Sequence, residues 1–217
     1  MKTLQICETF TSIQGETTHI GKPCFFIRLS KCNLNCRWCD TKYAFSDLDS
    51  KEIKIDELIE MAILSGVKLV NVTGGEPLLQ ENTIELLNKL IKKGFTVLLE
   101  TNGSIPIKKV PDKVIIILDF KCPSSGYSEK MFLENYQMLK KMDEVKFVIE
   151  NEKDYRFALN KIEELNLQTK TQNILFSPVL SKLAPRFLAN WMIKDKTPAI
   201  LQVQLHKFIW PDIERGV

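Results

Sequence analysis

The sequence predicts an α/β fold, a partial and abbreviated β/α barrel with mostly parallel strands, on three observations. Short β-branched runs alternate with helical stripes along the chain. Several of these runs are continuously apolar rather than alternating, as parallel strands covered on both faces are. Their count is read as nearer six than eight, too few for a closed barrel.

In chain order the strand runs are "CFFIRLS" (24–30), "KLVNVT" (68–73), "TVLLET" (96–101), "VIIILDF" (114–120), "EVKFVIE" (144–150), "NILFSPV" (173–179) and "ILQVQLH" (200–206). Ahead of the second run, Ile55, Leu58, Ile59, Ala62 and Ile63 repeat at helical spacing, ending at Gly66. Ile84, Leu87 and Ile91 mark the next helix, with Asn82 and Glu85 placed as a capping pair and Gly94 at its far end. A third helix is expected over 128–142, and a fourth carries Tyr155, Ala158, Leu159 and Ile162. Pro185 suits a first helical turn, after which Phe187, Leu188, Trp191 and Met192 form an apolar face. Such strand-helix-strand repetition implies right-handed crossovers, with chemistry at the C-terminal ends of the strands. No internal repeat or long linker interrupts it, so the chain reads as one domain, 1–217.

Hydrophobic residues make up 44% of the 217 and charged ones 26%, the composition of a soluble globular protein with enough chain for a large core. The net charge is +3 and the lysines are scattered, which gives no nucleic-acid surface. The start "MKTLQICETF" lacks a signal-peptide hydrophobic region, and no apolar run approaches membrane-spanning length. No membrane partner and a cytoplasmic location are therefore expected. In that compartment six cysteines do not make a disulfide framework. Cys7, Cys24 and Cys122 are dispersed and read as small buried apolar residues.

Cys32, Cys36 and Cys39 differ because they cluster, in "SKCNLNCRWCDT" (30–41), at the spacing C-x3-C-x2-C with no fourth ligand nearby. Structural zinc is closed by four protein ligands, and His19 and His206 are remote and lack finger spacing. A zinc-stabilised binding module stays open as the alternative from another class. A 4Fe–4S cube suits three thiolates better, because they hold three corners and leave one iron open to a small molecule. "NVTGGEPLLQ" (71–80) follows an apolar strand, where a barrel places its site, and its glycines let backbone approach a ligand. Alone, the Gly-Gly pair reads equally as a turn and Glu76 as a helix-capping acid.

Together and in this order, the cysteine loop with Trp38 before its last cysteine and the later "GGEP" resemble the radical SAM superfamily. The resemblance implies that the open iron binds S-adenosylmethionine and that reduction through the cluster yields a 5′-deoxyadenosyl radical. Four segments resemble one family within it, the 7-carboxy-7-deazaguanine synthases: "ETFTSIQGE" (8–16), "CFFIRLSKCNLNCRWCDT" (24–41), "LDFKCPSSG" (118–126) and "LQVQLHKFIWP" (201–211). That likeness implies conversion of 6-carboxy-5,6,7,8-tetrahydropterin to 7-carboxy-7-deazaguanine with loss of ammonia, in queuosine biosynthesis. The route is hydrogen abstraction followed by ring contraction, and Mg²⁺ joins the cluster and S-adenosylmethionine. A glycyl-radical activating enzyme is the alternative within the superfamily; "SIQGE" and "LQVQLHK" argue against it.

Carried onto this chain, the resemblance implies that Trp38, Cys39 and Asp40 meet the adenosyl end of S-adenosylmethionine and Gly75 and Glu76 the methionine end. Cys122, Pro123, Ser124, Phe176 and Ser177 fall at further contact positions, and "ETNG" (100–103) forms a pocket wall. Arg28 engages the substrate carboxylate with its planar fork, while Ile13, Gln14, Gly15, Glu16 and Thr73 read the heterocycle. From the residues alone, Arg28 reads equally as a strand-end surface charge and Gln14 as an ordinary loop amide. Thr41 takes the position of a magnesium contact, the rest of the shell coming from water and substrate, though a turn or cap is its plain alternative. His206 reads as a proton carrier or substrate contact, or as a structural histidine, and Val217 as a C-terminal carboxylate reaching substrate. Two departures stand out: Thr17 replaces a glycine common in the family, and the chain runs past Pro211 through "DIERGV". A homodimer and a flavodoxin-type electron donor are expected partners by the same resemblance.

Overall fold

The structure is a computed structural model and describes residues 2–45 and 50–217. Nine strands among those residues join one sheet: β1 (Thr3–Ile13), β2 (Pro23–Leu29), β3 (Lys51–Lys54), β4 (Leu69–Gly74), β5 (Thr96–Thr101), β6 (Ile115–Phe120), β7 (Glu144–Ile149), β8 (Asn173–Pro178) and β9 (Ile200–Leu201). Their order is β3-β1-β2-β4-β5-β6-β7-β8-β9, with β3 and β9 at the two open ends. From β2 through β9 every pairing is parallel. The helices are α1 (Ile55–Leu64), α2 (Thr83–Lys92), α3 (Glu134–Gln137), α4 (Glu152–Glu164), α5 (Leu167–Lys170), α6 (Pro185–Asp195) and α7 (His206–Ile209). The α/β class and the open, mostly parallel barrel are as the sequence predicts. Among the described residues, no helix is long and apolar enough to cross a membrane.

The two faces of the sheet separate by strand parity. Phe25, Ile27, Val70, Val72, Val97, Leu99, Ile116, Leu118, Phe120, Val145, Phe147, Ile174 and Phe176 belong to the large core that includes residues of α1, α2, α4 and α6. The intervening residues Cys24, Phe26, Leu69, Leu98, Ile115 and Ile117 form a second, smaller apolar cluster with Phe10. Further along the same strands, toward their C-terminal ends, that second face turns polar: Arg28, Thr73, Glu100, Asp119, Lys146 and Ser177.

Several expectations are corrected. β1 and β3 add an antiparallel ribbon that no apolar run announced, and β1 alternates, burying Leu4 and Ile6. The expected strand over 200–206 stops at Leu201, because the following backbone leaves the sheet to bond the loop after β1. The expected helix over 128–142 is a single 3-10 turn, Ser128–Lys130, and the short α3. There the Phe132 amide bonds the Gly103 carbonyl, and the Asn135 amide group is drawn to backbone at Gly103, Ile105 and Ile107, so tertiary bonds outcompete the helical ladder. Asn82 makes no cap; its side chain donates to the Thr3 carbonyl, while Glu85 pairs with Lys2 and Lys89. Ile63 and Phe187 lie exposed at the edges of their helical stripes, and Leu188, Met192 and part of Trp191 carry the apolar face of α6.

Candidate active site

A cavity of about 470 Å³ opens at the C-terminal ends of the parallel strands. Its wall contains Cys32, Cys36 and Cys39 from the loop after β2, the segment 13–16 after β1, Gly74 and Gly75 after β4, and Gln204, His206, Lys207 and Val217 from the tail. The strands themselves contribute Arg28, Thr73, Glu100, Asp119, Lys146 and Ser177.

Close backbone packing explains why both glycines follow β4. A Cβ on Gly74, which has φ +137, would collide with the Leu29 backbone, and one on Gly75 with the Lys31 carbonyl. The Gly75 and Glu76 amides bond the Leu29 and Lys31 carbonyls at 3.0 and 2.7 Å, fastening the start of the cysteine loop to the end of β4. Glu76 is buried behind the cavity wall, where it accepts from the Leu78 and Asn102 amides at 2.9 and 2.7 Å and from the Thr101 hydroxyl at 2.9 Å. Burial raises its pKa and these bonds oppose that rise. The structure thus places Glu76 as a clamp on the wall rather than in it. Asn102, so held, donates to Cys32 Sγ at 3.8 Å and Asn33 Oδ1 at 2.9 Å.

The three sulfurs face this one cavity. Burial raises all three thiol pKa values, Cys36 to about 11, and the nearby Lys121 ammonium works against the rise. Among the described residues, no three His, Cys, Asp or Glu groups gather as a single metal ion would require. Three cysteines on a common wall suit a cube, in which each thiolate binds its own iron. Buried polar atoms with no partner among the described residues also belong to wall residues: Trp38 Nε1, Gln14 Nε2 and Asp119 Oδ1. Such atoms are costly unless a ligand satisfies them. Lys121 Nζ lies 5.2 Å from the Trp38 ring centroid, so the cysteine loop sees a fixed cation from β6's end. The residues present therefore fit an iron–sulfur cluster with a polar small molecule beside it.

The inner face of the strands supplies a chain of charges. Lys146 Nζ binds Glu16 Oε2 at 2.7 Å and approaches Asp119 Oδ2 at 4.0 Å; Lys121 Nζ binds the same Asp119 oxygen at 2.8 Å. Asp119 and Lys146 are register partners across β6 and β7, which is why they meet. Burial would raise the Glu16 pKa, and Asp40 adds to that, but Lys146 and the Gln204 bond together hold the carboxyl below its usual range. Arg28 is committed through Nε to Glu8 Oε1 at 2.7 Å, and its terminal nitrogens have no acceptor among the described residues. Glu100 accepts from Asn71 Nδ2 at 2.6 Å and the Thr73 hydroxyl at 3.2 Å. Burial lowers the His206 pKa despite the neighbouring carboxylates, so the ring is neutral at neutral pH.

Most of the sequence-derived candidates converge here: Ile13, Gln14, Gly15, Glu16, Arg28, Cys32, Cys36, Trp38, Cys39, Asp40, Thr41, Thr73, Gly75, Ser177, His206 and Val217. Phe176 and Cys122 do not, since both belong to the large core on the opposite face of the sheet. Pro123 and Ser124 lie off the wall in a 3-10 turn, where Ser124 donates to Asp154. Thr17 sits in the left-handed region at φ +63, the conformation a glycine takes without strain, and its hydroxyl accepts from the His19 amide at 3.0 Å. Asp119, Lys121, Lys146, Gln204 and Lys207 were not singled out from sequence. A charge inside an otherwise apolar strand was the available signal for Asp119 and Lys146.

The radical SAM superfamily model matches residues 26–166 of the chain. A 7-carboxy-7-deazaguanine synthase from Koribacter versatilis is 40% identical, over 99% of this chain and 100% of its own. The synthase of that name from Chlorobaculum tepidum is 42% identical, over 99% and 97%. Among solved structures, QueE from Escherichia coli superposes with a TM-score of 0.78 at 23% identity, covering 94% of this chain and 95% of that one.

Proposed function

The chain belongs to the 7-carboxy-7-deazaguanine synthase family of the radical SAM superfamily, and we propose that it turns 6-carboxy-5,6,7,8-tetrahydropterin into 7-carboxy-7-deazaguanine with loss of ammonia. The observation that carries this reading is one cavity whose wall joins three free thiols, an arginine fork and unpaired buried amide and indole donors. Cys32, Cys36 and Cys39 would hold a 4Fe–4S cluster, which together with S-adenosylmethionine would supply the radical chemistry that takes hydrogen from substrate.

The chain's own residues bind and orient. Trp38 and Asp40 beside Cys39 frame the adenosyl end, Gly75 meets the methionine end, and Ser177 lies on the same cavity wall. Arg28 offers its terminal nitrogens to the pterin carboxylate, its Nε being already held by Glu8. Gln14 Nε2, Glu16 and Thr73 present a donor, an acceptor and a hydroxyl to the pyrimidine edge, with Ile13 and Gly15 shaping the floor. The Thr41 hydroxyl donates to Asp40 Oδ1 at 3.1 Å, so its lone pairs are free for Mg²⁺ that also binds substrate. His206, neutral, can take a proton on its ring, and Val217 lies on the cavity wall. We further read the chain as one domain acting in the cytoplasm, as a homodimer reduced by a flavodoxin-type donor.

Anaerobic reconstitution with iron and sulfide, followed by reductant, S-adenosylmethionine, Mg²⁺ and the carboxypterin, tests the reading. Deazapurine should accumulate well beyond any methionine formed, because S-adenosylmethionine is regenerated, and Cys36→Ala should abolish both cluster and product. An iron-loaded protein that cleaves S-adenosylmethionine but forms no deazapurine would overturn it.

A further inference from the structure

The segment that leaves the sheet after β9 is bonded almost continuously to the loop after β1. Gln202 Nε2 donates to the Thr17 carbonyl at 3.0 Å and the Leu205 amide to the Gly15 carbonyl at 2.9 Å. His206 packs so closely on Gly15 that a Cβ there would collide with its ring. Between these anchors, Gln204 Nε2 donates to Glu16 Oε1 at 2.7 Å and to Asp40 Oδ2 at 2.8 Å. The Glu16 carboxylate is in the substrate loop, and Asp40 follows the last cysteine of the cluster loop. Both N–H groups of one amide are thus spent on two carboxylates from different functional loops. A neutral donor is suited to this place. It satisfies two anions that repel each other, and turning the amide round would aim its carbonyl at both.

Each carboxylate divides its oxygens. Asp40 Oδ2 takes Gln204 and, at 3.0 Å, Lys207, while Oδ1 takes the Thr41 hydroxyl proton at 3.1 Å. Glu16 Oε1 takes Gln204, and Oε2 takes Lys146. An unbroken line of contacts therefore runs from Thr41 through Asp40, Gln204 and Glu16 to Lys146, and the tail supplies its central link. Outer partners of a metal ligand fix its orientation, and a hydroxyl ligand whose proton is parked on a held carboxylate points one way only.

We propose that Gln204 is a positioning residue that sets the Thr41 hydroxyl through Asp40 and the heterocycle-reading loop through Glu16, so that one tail side chain aligns metal and substrate together. This rests on the magnesium and substrate roles given above. Lys207 touches Asp40 but not Glu16, so it aligns the Thr41 side alone.

Gln204→Leu keeps the bulk and loses the donors; Lys207→Met keeps the bulk and loses the charge. In the reconstituted enzyme, Gln204→Leu should raise both the Mg²⁺ half-saturation and the pterin KM about tenfold, the low end of the cost of an outer partner of a metal ligand. Lys207→Met should raise the Mg²⁺ half-saturation and leave the pterin KM unchanged. In the unloaded protein, hydrogen exchange measured by mass spectrometry on peptides spanning 14–17 and 39–41 should quicken in Gln204→Leu over both peptides, and in Lys207→Met over 39–41 only. Unchanged exchange over either peptide in Gln204→Leu, or an identical pattern in the two variants, overturns the proposal even if the wild type is active. A wild type that forms no deazapurine or needs no Mg²⁺ removes the synthase reading instead, and the exchange patterns still decide the positioning role. Should Gln204→Leu not fold, Lys207→Met with exchange spreading into 14–17 is the overturning result.

Discussion

Phe147 and Lys146 are neighbours on β7, yet they belong to different chemical worlds. Phe147 points into the large core, stacked on Phe120 with centroids 5.3 Å apart and edge-on to Phe176 at 5.7 Å. Lys146 points the other way, into the cavity, between Glu16 and Asp119. The same division recurs at Leu99 and Glu100 on β5 and at Leu118 and Asp119 on β6. A β/α barrel thus separates stability from chemistry by parity rather than by region, and a change one residue along crosses from one to the other.

The sharpest way to break this comparison is to truncate each neighbour in turn. Phe147→Ala opens a cavity in a fully buried aromatic cluster and should cost about 3–5 kcal/mol in chemical denaturation. Lys146→Met removes no packing volume of consequence but leaves Glu16, partly buried, with only the neutral Gln204 amide, and Asp119 with Lys121 alone. It should cost about 2 kcal/mol, less than the about 3–5 of a sealed ion pair, because water reaches the cavity. The double change Lys146→Met with Glu16→Gln should recover most of that loss, as neutral replacements of buried pairs do, while deazapurine formation stays lost. Recovery of activity along with stability would mean that the inner charges serve the fold alone.

Parity also explains what could be read from sequence. Strands β2 and β4 to β8 were legible because both faces near their starts are apolar, giving continuous runs such as "VIIILDF". β1 was not, because its outward residues are polar and only Leu4 and Ile6 are fully buried, a pattern weaker than a run. Cys32, Cys36 and Cys39 announced themselves by local spacing, and "SIQGE" by its resemblance to one family. Lys146, Asp119 and Gln204 acquire meaning only when register and the returning tail bring them to Glu16 and Asp40, contacts separated by as many as 188 positions in the chain. Phe176 and Cys122 failed as wall residues for the converse reason: proximity to the right strand end does not fix which face a residue takes. Glu76 is turned to the Leu78 and Asn102 amides, so it holds wall residue Asn102 in place without lining the cavity itself.

The smallest effect is a reversal of slope with pH, and it isolates the pair on the inner face. In the wild type, burial raises the Glu16 pKa, but the charge and hydrogen bond of Lys146 together with the Gln204 bond lower it further, so the folded value lies below the unfolded one. The unfolded chain then binds more protons between the two values, and stability is present above about 4.3 and lost as pH falls through the folded pKa. Lys146→Met removes the larger lowering causes and leaves burial and Asp40 opposed only by the Gln204 bond, which places the folded pKa above the unfolded one. Now the folded chain binds more protons, so this carboxyl's contribution improves as pH falls from neutral toward about 4.3. Lys146 also lowers the Asp40 and Glu144 values, so its loss moves those carboxyls in the same direction, and the difference between the wild-type and Lys146→Met stabilities should shrink on acidification. On the outer face no such term exists: the deficit of Phe147→Ala should stay constant across the same range. A Lys146→Met deficit equally flat with pH would mean that Glu16 does not depend on Lys146 for its charge.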